Sequence, residues 1–324
     1  MTIRVHIRLI ASVLVVFALA ACSSPPPGKP RGGEVSAPIT GERQRVHVGN
    51  GTVLTDRGTI LRGASMMILA RPNYSTDPAF WSSVHDLGLN AVRLDVGTTR
   101  IGKTVYEQLP SLDKAVDLAA QNGMYIMFKT SEKPGTYDLD SLIEFWSVAA
   151  PRYKNRTNVL FELTNEPVSG RAPWGRPEQW TDQVIADLTK VYKIMRAAAP
   201  DTHIVLFSTP NLYPDCESYK KVIAKMKGVD WTKASVGFHH YRGTEEFGEQ
   251  NIQCLRASYP LIMTETNFWV DDGAGRNMPI GVLRLYEKLG ISWFSLDGKG
   301  SISHLRDEII PDLRSQGYTW SVER

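Results

Sequence analysis

Glycine-rich phosphate-binding motifs are missing from this sequence of 324 residues. Neither a Gly-x-Gly-x-x-Gly turn nor a Walker sequence follows an early strand-like run, which argues against a nucleotide-binding α/β fold. The formal net charge is only +3, and Arg4 and Arg8, which lie in a segment expected to be removed, supply two of those charges. Such a nearly neutral chain gives no electrostatic case for binding nucleic acid.

The first residues have the features of an export signal. Arg4 and Arg8 form a positive start, residues 9–19 are an apolar run too short for an ordinary spanning helix, and Ala20-Ala21 supplies small residues before a cleavage point. Residues 19–22, Leu-Ala-Ala-Cys, resemble the bacterial lipoprotein box, in which the cysteine is acylated and becomes the first mature residue. We therefore expect a signal peptide over 1–21 and a lipid anchor at Cys22 on the cell envelope, with a soluble secreted protein as the alternative.

Cysteine is scarce, with only three residues in the chain. Acylation of Cys22 would leave Cys216 and Cys254, and an even pair in an exported protein indicates a disulfide. Two thiolates without nearby histidines are too few ligands for a zinc site. Two unpaired buried thiols remain the alternative.

Residues 22–45 are rich in proline, glycine and serine and predict a tether that cannot bury a core of its own. The folded part is predicted over 46–324, beginning at the hairpin signal Gly49-Asn50-Gly51. The length allows one large α/β barrel or two average domains, but no internal repeat or second domain is visible.

Strand-like and helix-like runs alternate through the folded part. The predicted strands are Thr59 to Met67, Asn90 to Asp95, Met124 to Lys129, Asn158 to Leu163, His203 to Phe207, Ser235 to His239, Leu261 to Glu265 and Ile291 to Leu296. The predicted helices are Pro78 to Leu87, Ser111 to Asn122, Ser141 to Ala149, Pro177 to Ala198, Glu217 to Met226, Gln250 to Ala257, Pro279 to Leu289 and Arg306 to Gln316. Eight such pairs predict a single-domain (β/α)₈ TIM barrel; an open doubly wound sheet is the rival.

Two of the predicted strands end in a glutamate. Asn158 to Leu163 is a short buried strand followed by Thr164-Asn165-Glu166-Pro167, where proline stops the strand and favours an extended or turn conformation at Glu166. The run from Pro260 ends in the same manner at Glu265. Because the carboxyl ends of barrel strands form the catalytic face, we expect these two carboxylates to meet there.

Alternation along the strands predicts which polar residues join them. Arg93 and Asp95 point into the barrel, and His239 and Tyr241 share a face while His240 points away, so the two histidines are not expected to bind a metal together. Glu162, Thr164 and Glu166 share one parity, as do Leu261, Met263 and Glu265. Charged groups inside a barrel need partners, and Arg93 pairs with Glu265 or, as a purely structural alternative, with Glu162.

Glycoside hydrolysis requires a pair of carboxylates at one end of a barrel such as this. One carboxyl group protonates the leaving oxygen and the other, ionised, attacks the anomeric carbon or activates water. A cationic Arg93 would keep Glu265 ionised as the nucleophile, while Glu166 would keep a proton. For a retaining mechanism the two carboxyl groups should lie about 5 to 5.5 Å apart.

The chain resembles glycoside hydrolase family 5, a cellulase-like family of retaining (β/α)₈ barrels. The matching segments are residues 61–65 (Leu-Arg-Gly-Ala-Ser), 88–93 (Gly-Leu-Asn-Ala-Val-Arg), 165–167 (Asn-Glu-Pro), 239–241 (His-His-Tyr), 260–265 and 290–293 (Gly-Ile-Ser-Trp), in order over most of the mature chain. The resemblance implies Glu166 as acid/base and Glu265 as nucleophile. It also implies sugar or positioning contacts from Asn165, Arg93, His239 and Tyr241, with Trp293 as an aromatic platform under the sugar.

One position departs from the family. Where the family usually has a histidine after the third strand, this chain has Ser131, with Lys129 two residues earlier, so the usual substrate preferences are not assumed. Trp174 and Trp269 lie in loops expected to border the mouth and are candidate sugar platforms, unless they pack against their own loops. Trp293, likewise, could be a core residue.

The sequence thus predicts a monomeric retaining, endo-acting glycosidase for a β-linked glycan of β-glucan or β-mannan type, with no metal or organic cofactor. The glycan, its linkage and chain-end cleavage are left open. One alternative is a transglycosylase. The other is a surface glycan-binding lipoprotein on a decayed barrel, which the replacement of the usual family histidine by Ser131 makes conceivable.

Overall fold

A computed structural model gives the fold and describes residues 41–66, 73–97, 101–130, 132, 135–168, 176–209, 215–241, 245–267, 281–296, 302–303 and 305–319. All of them belong to one compact unit, Gly32–Arg324. Among these residues, no helix combines the length and the apolar character needed to cross a membrane. Cys22 lies outside the described residues.

Within the described residues, ten strands form one sheet that closes on itself. A hairpin of β1 (His47–Gly49) and β2 (Thr52–Leu54) precedes the eight barrel strands: β3 (Arg62–Met66), β4 (Ala91–Val96), β5 (Tyr125–Thr130), β6 (Val159–Glu162), β7 (Ile204–Thr209), β8 (Ala234–His239), β9 (Leu261–Asn267) and β10 (Trp293–Leu296). Consecutive strands from β3 to β10 pair in parallel, and β10 pairs in parallel with β3. The predicted (β/α)₈ barrel is therefore confirmed.

One helix follows each barrel strand. They are α1 (Pro78–Asp86), α2 (Val105–Gln121), α3 (Leu139–Tyr153), α4 (Asp182–Ala198), α5 (Cys216–Lys225), α6 (Glu245–Arg256), α7 (Gly281–Leu289) and α8 (Ile310–Ser315). A π-helical turn, Leu305–Ile309, precedes α8, and short 3₁₀ turns lie at Tyr74–Thr76 and Pro177–Gln179. The predicted elements match in order, with differences only at their ends.

The start of α2 differs most from its prediction. Thr104 and Glu107 form a capping box, in which each side chain accepts a hydrogen bond from the other residue's backbone N–H. The helix therefore begins at Val105, six residues before Ser111, and Pro110 lies inside it. The prediction placed the start at Ser111 and did not include the capping box formed by Thr104 and Glu107.

The barrel separates two apolar clusters. Val92 and Leu94 of β4 pack in the outer cluster between strands and helices, whereas Ala91 packs in the inner cluster. The inner cluster comprises Val53, Leu61, Ala91, Tyr125, Met127, Leu160, Val205, Ile262 and Phe294. A Cβ atom at Gly63 would lie 2.2 Å from the Phe294 ring, so glycine is required there for the ring to fill the lower barrel. This packed floor leaves the carboxyl-terminal rim, which we call the mouth, for polar side chains.

The chain enters the barrel from the opposite rim. Glu42 accepts hydrogen bonds from Arg156 Nε at 3.0 Å and from the backbone N–H of Thr157 at 2.5 Å, just before β6. Arg43 is paired with Asp56. The folded domain thus includes Glu42 and Arg43, which the sequence assigned to the tether ending at residue 45.

A disulfide joins Cys216, the first residue of α5, to Cys254 in α6, with their Cα atoms 6.3 Å apart. The alternative of two unpaired thiols is thereby excluded. Because the bond closes a long loop through β8, it restricts the unfolded chain as well as tying two neighbouring helices together.

Candidate active site

The turn after β6 aims Asn165 and Glu166 into the barrel. The backbone N–H of Asn165 donates to the Thr130 carbonyl at 2.9 Å, and that of Glu166 donates to the Ser208 carbonyl at 3.0 Å. Glu166 has a φ of 42°, in the left-handed region that non-glycine residues rarely adopt. The extended conformation considered from Pro167 is therefore not adopted, and hydrogen bonds from two neighbouring strands hold a conformation that costs about 1–3 kcal/mol.

A bulge in β9 aims the second carboxylate. Phe238 pairs with Met263, but the next residue, His239, pairs with Glu265, so β9 carries one extra residue at Thr264. Met263 packs in the outer cluster, whereas Glu265 contacts Arg93 inside the barrel. The predicted common face of Leu261, Met263 and Glu265 is wrong because a bulge reverses the alternation.

Arg93 connects the groups at the mouth. Its guanidinium donates to both oxygens of Glu162 at 2.5 and 2.6 Å, to Glu265 Oε2 at 2.7 Å and to Asn165 Oδ1 at 2.7 Å. A further bond reaches Ser65 Oγ at 3.1 Å. Both partners considered from the sequence, Glu162 and Glu265, are therefore bound at once. Since the Asn165 oxygen accepts from Arg93, its amide N–H groups remain for another acceptor.

His239 and Tyr241 lie beside the two glutamates. His239 Nδ1 is 2.7 Å from Glu166 Oε1 and 3.9 Å from Glu265 Oε1. The Tyr241 hydroxyl donates to Glu265 Oε1. His240 points the other way, with Nδ1 2.5 Å from the Tyr286 hydroxyl. The alternation along β8 thus assigns the two histidines to opposite faces, as expected.

The surroundings favour the ionised form of Glu265. Burial by itself would raise the pKa of Glu265, but the charges of His239, Lys129 and Arg93, with the hydrogen bond from Tyr241, hold that pKa well below its usual range. Burial, with the charges of both glutamates, raises the pKa of Tyr241 well above its ordinary value. Tyr241 therefore stays a hydrogen-bond donor, and Glu265 is available as an anion at neutral pH.

A second buried ion pair, which was not predicted from the sequence, lies beside Glu265. Lys129 Nζ binds Asp95 Oδ1, and it lies 3.7 Å from Glu265 Oε2. Alternation along β5 places Lys129 on the same face as Met127, inside the barrel, and an ammonium there needs a carboxylate partner. Asp95, already expected to point inward, is directly opposite in the sheet register. The inward parity of both Lys129 and Asp95 was the signal available in the sequence, whereas their direct pairing comes from the sheet register.

The predicted aromatic platform is not at the mouth. Trp293 is fully buried in the outer cluster, and its indole N–H donates to Glu287 of α7 at 2.8 Å. Its neighbour Phe294 takes the inner face, so strand alternation sends Trp293 towards the helices. Its assignment as a sugar platform is wrong, and the alternative of a core residue is correct. Trp174, Trp269 and Ser131 lie outside the described residues.

Two groups of described residues have donor atoms close enough to share a metal ion. In one, Cys216 and Cys254 are already bonded to each other. The other comprises Glu166, His239 and Glu265, with one donor atom from each within 4.8 Å of the others. Their donors already face protein partners: His239 bonds Glu166, and Glu265 is held by Arg93 and Tyr241. The arrangement suits a pair of carboxylates held by charge and hydrogen bonding.

Comparison with known proteins matches this chain to a protein family. A family model described as Cellulase (glycosyl hydrolase family 5) matches residues 54–294. Endoglucanase A of Butyrivibrio fibrisolvens is 26% identical over 238 residues, which are 69% of this chain and 50% of that protein. The chain thus spans about half the length of the curated relatives it matches.

Solved structures share the fold at low identity. The catalytic domain of Thermobifida fusca endoglucanase Cel5A (E5) matches with a TM-score of 0.62 at 19% identity, covering 78% of this chain and 84% of that one. A β-mannanase from Streptomyces thermolilacinus matches with a TM-score of 0.58 at 18% identity, covering 78% and 84%. At such identities the likeness shows the fold alone.

Proposed function

The chain belongs to glycosyl hydrolase family 5, and from that membership we propose that it cleaves internal bonds of a β-linked polysaccharide by a retaining double displacement. The substrate class is a β-glucan or a β-mannan. Support comes from relatives named endoglucanases and from a structural neighbour named a β-mannanase. The expectation from the sequence is confirmed at the level of the family.

The observation that carries the mechanism is the closeness of the two glutamates. A carboxylate oxygen of Glu166 and one of Glu265 lie within 4.8 Å of each other. Retaining glycosidases separate their carboxyl groups by about 5–5.5 Å, whereas inverting enzymes leave about 6.5–9.5 Å for a water molecule. The short separation favours direct attack by one carboxylate on the sugar.

In the first step, Glu265 attacks the anomeric carbon while Glu166 gives its proton to the departing oxygen. Arg93 and Tyr241 each hold one oxygen of Glu265, so the nucleophile is oriented before substrate arrives. The C–O bond to the leaving sugar breaks with its electron pair on the protonated oxygen. A covalent glycosyl ester at Glu265 results.

In the second step, Glu166, now ionised, takes a proton from water, and the water oxygen attacks the anomeric carbon. Glu265 leaves as a carboxylate stabilised by Arg93. The bond between His239 Nδ1 and Glu166 Oε1 gives Glu166 a partner in both protonation states, because the imidazole can donate or accept there. Two inversions give net retention at the anomeric carbon.

We expect the purified protein to release oligosaccharides from a soluble β-glucan or β-mannan and to lower the viscosity of the solution early, as internal cleavage requires. Proton NMR of fresh product should show the β-anomer first, before mutarotation. First appearance of the α-anomer would overturn the retaining mechanism, and binding without any release of sugar would overturn the activity. Transfer to an added sugar acceptor in preference to water would assign a transglycosylase.

We also propose that the mature protein is a lipoprotein of the cell envelope, anchored at Cys22. The proposal rests on the positive start, apolar run and Leu-Ala-Ala-Cys sequence of residues 1–22. Cys22→Ala should move the protein from the membrane to the soluble fraction of an expressing bacterium and abolish incorporation of labelled fatty acid. Cys216→Ala, which removes a cysteine already used in the disulfide, is the control and should still be labelled.

A further inference from the structure

Lys129 is a buried cation beside the proposed nucleophile. Its side chain is 2% exposed and that of its partner Asp95 is 1% exposed. The two residues are opposite each other on β5 and β4, and Glu162 is opposite Lys129 on β6. Burying such a pair has a desolvation cost that an apolar pair of similar volume would avoid, and the next inward residue below, Met127, is apolar. Stability of the fold therefore does not explain why this ion pair is buried at the mouth.

The position of the Lys129 ammonium suggests a role at the proposed nucleophile. Lys129 Nζ lies 3.7 Å from Glu265 Oε2, the oxygen that also accepts from Arg93. Arg93 shares its charge with Glu162, to which it makes two hydrogen bonds of 2.5 and 2.6 Å. Glu265 consequently has less than one full positive charge from Arg93. Lys129 provides a second cation within the range where charges alter protonation strongly.

We propose that Lys129 is a positioning residue that keeps Glu265 ionised and its Oε2 in place, and that Asp95 holds the ammonium at the distance this requires. The inference rests on the proposed retaining function. Lys129 acts through Glu265 and is not itself assigned a contact with substrate. At 3.7 Å the Lys129 ammonium lies beyond hydrogen-bond distance of Glu265 Oε2 and acts on it through its charge.

Several ionisable groups face Glu265, and the effect of Lys129 must be separated from theirs. Within the described part of the chain they are Arg93 and Asp95 on β4, Lys129 on β5, Glu162 and Glu166 on and after β6, and His239 and Tyr241 on and after β8. The pKa of Glu265 is held low by His239, Lys129 and Arg93 against the effect of burial. Removing only the Lys129 charge should raise that pKa, because less positive charge then favours the anion.

The test compares variants that break the same ion pair in different ways. Asp95→Asn removes the anion and leaves the cation. Asp95→Asn/Lys129→Met removes both charges and leaves no unpaired buried ion, and Lys129→Gln is a second neutral variant that can still bond Asp95. Lys129→Arg keeps the charge. For each we would measure kcat/KM against pH on the soluble glycan that the wild type cleaves, with thermal unfolding as the check on folding.

The acid limb of kcat/KM reports the free enzyme. We expect it to move up by about one pH unit in the double variant and in Lys129→Gln, to stay near the wild-type position in Lys129→Arg, and to stay or move down in Asp95→Asn. If the ion pair only supports the fold, the variants would unfold at lower temperatures while the acid limb of kcat/KM stayed in place in all of them. That result would overturn the proposal. An upward shift in Asp95→Asn equal to that of the double variant would also overturn it.

The two proposals fail in different ways. A wild type without glycosidase activity would refute the proposed function before any variant is made. An active wild type whose neutral variants keep its pH profile would refute only the role of Lys129.

Discussion

Glu265→Ala is expected to lower kcat by about 10⁴- to 10⁶-fold on every glycan that the wild type cleaves, since it removes the atom that forms the covalent intermediate. Arg93 would keep its bonds to Glu162, but neither Arg93 nor Tyr241 would have a carboxylate at position 265 to orient. The measurement is the initial rate of reducing-sugar release at the optimum pH of the wild type. Glu249→Ala, which removes an exposed carboxylate paired with Lys288, is the matched control and should keep wild-type activity.

Added azide distinguishes loss of the nucleophile from general damage. The space left by the Glu265 carboxylate lies on the face of the sugar opposite the leaving group, so azide can attack from there while Glu166 still donates its proton. The expected product from an activated aryl β-glycoside is a glycosyl azide of inverted configuration. A folded Glu265→Ala protein that retains substantial turnover without azide would show that another group is the nucleophile.

Glu166→Ala is expected to cost about 10²- to 10⁴-fold on natural glycans, where the departing alcohol needs a proton. With a dinitrophenyl glycoside the first step should be nearly unaffected, because that leaving group departs as a stable anion. A burst of dinitrophenol followed by slow turnover is therefore expected, measured by stopped-flow absorbance. The slow phase reflects loss of the base that activates water.

The same variant should respond to azide with the opposite stereochemistry. Azide attacks the glycosyl ester at Glu265 from the side where Glu166 stood, and the product keeps the β configuration. Equal losses on natural and activated substrates, with no burst, would contradict the acid/base role of Glu166. Glu178→Ala serves as a control, because it truncates a glutamate in the 3₁₀ turn Pro177–Gln179, outside the barrel.

Local sequence patterns were sufficient for much of the barrel. The alternation Ala91-Val92-Arg93-Leu94-Asp95 assigns inner and outer faces correctly, because β4 pairs with β3 and β5 without a register shift. The prediction that Arg93 has an acidic partner follows from the cost of an unpaired charge inside a barrel. The presence of both Glu162 and Glu265 around it depends on three strands meeting and could not be read from any one of them.

Other features depend on tertiary structure alone. Alternation along β9 fails at Thr264 because the bulge that turns Glu265 inward is set by pairing with β8 and β10. The left-handed backbone of Glu166 is held by carbonyls on two other strands, and its own neighbours do not encode it. Trp293 was misplaced because the resemblance suggested a role that its parity on β10 does not allow.

The docking of Glu42 against Arg156 and Thr157 fixes the side on which the chain joins the barrel. Those residues precede β6, whereas Glu166 follows it, so the polypeptide joins the barrel at its rear. The lipid anchor proposed at Cys22 would therefore connect to the folded domain at the rim opposite the mouth.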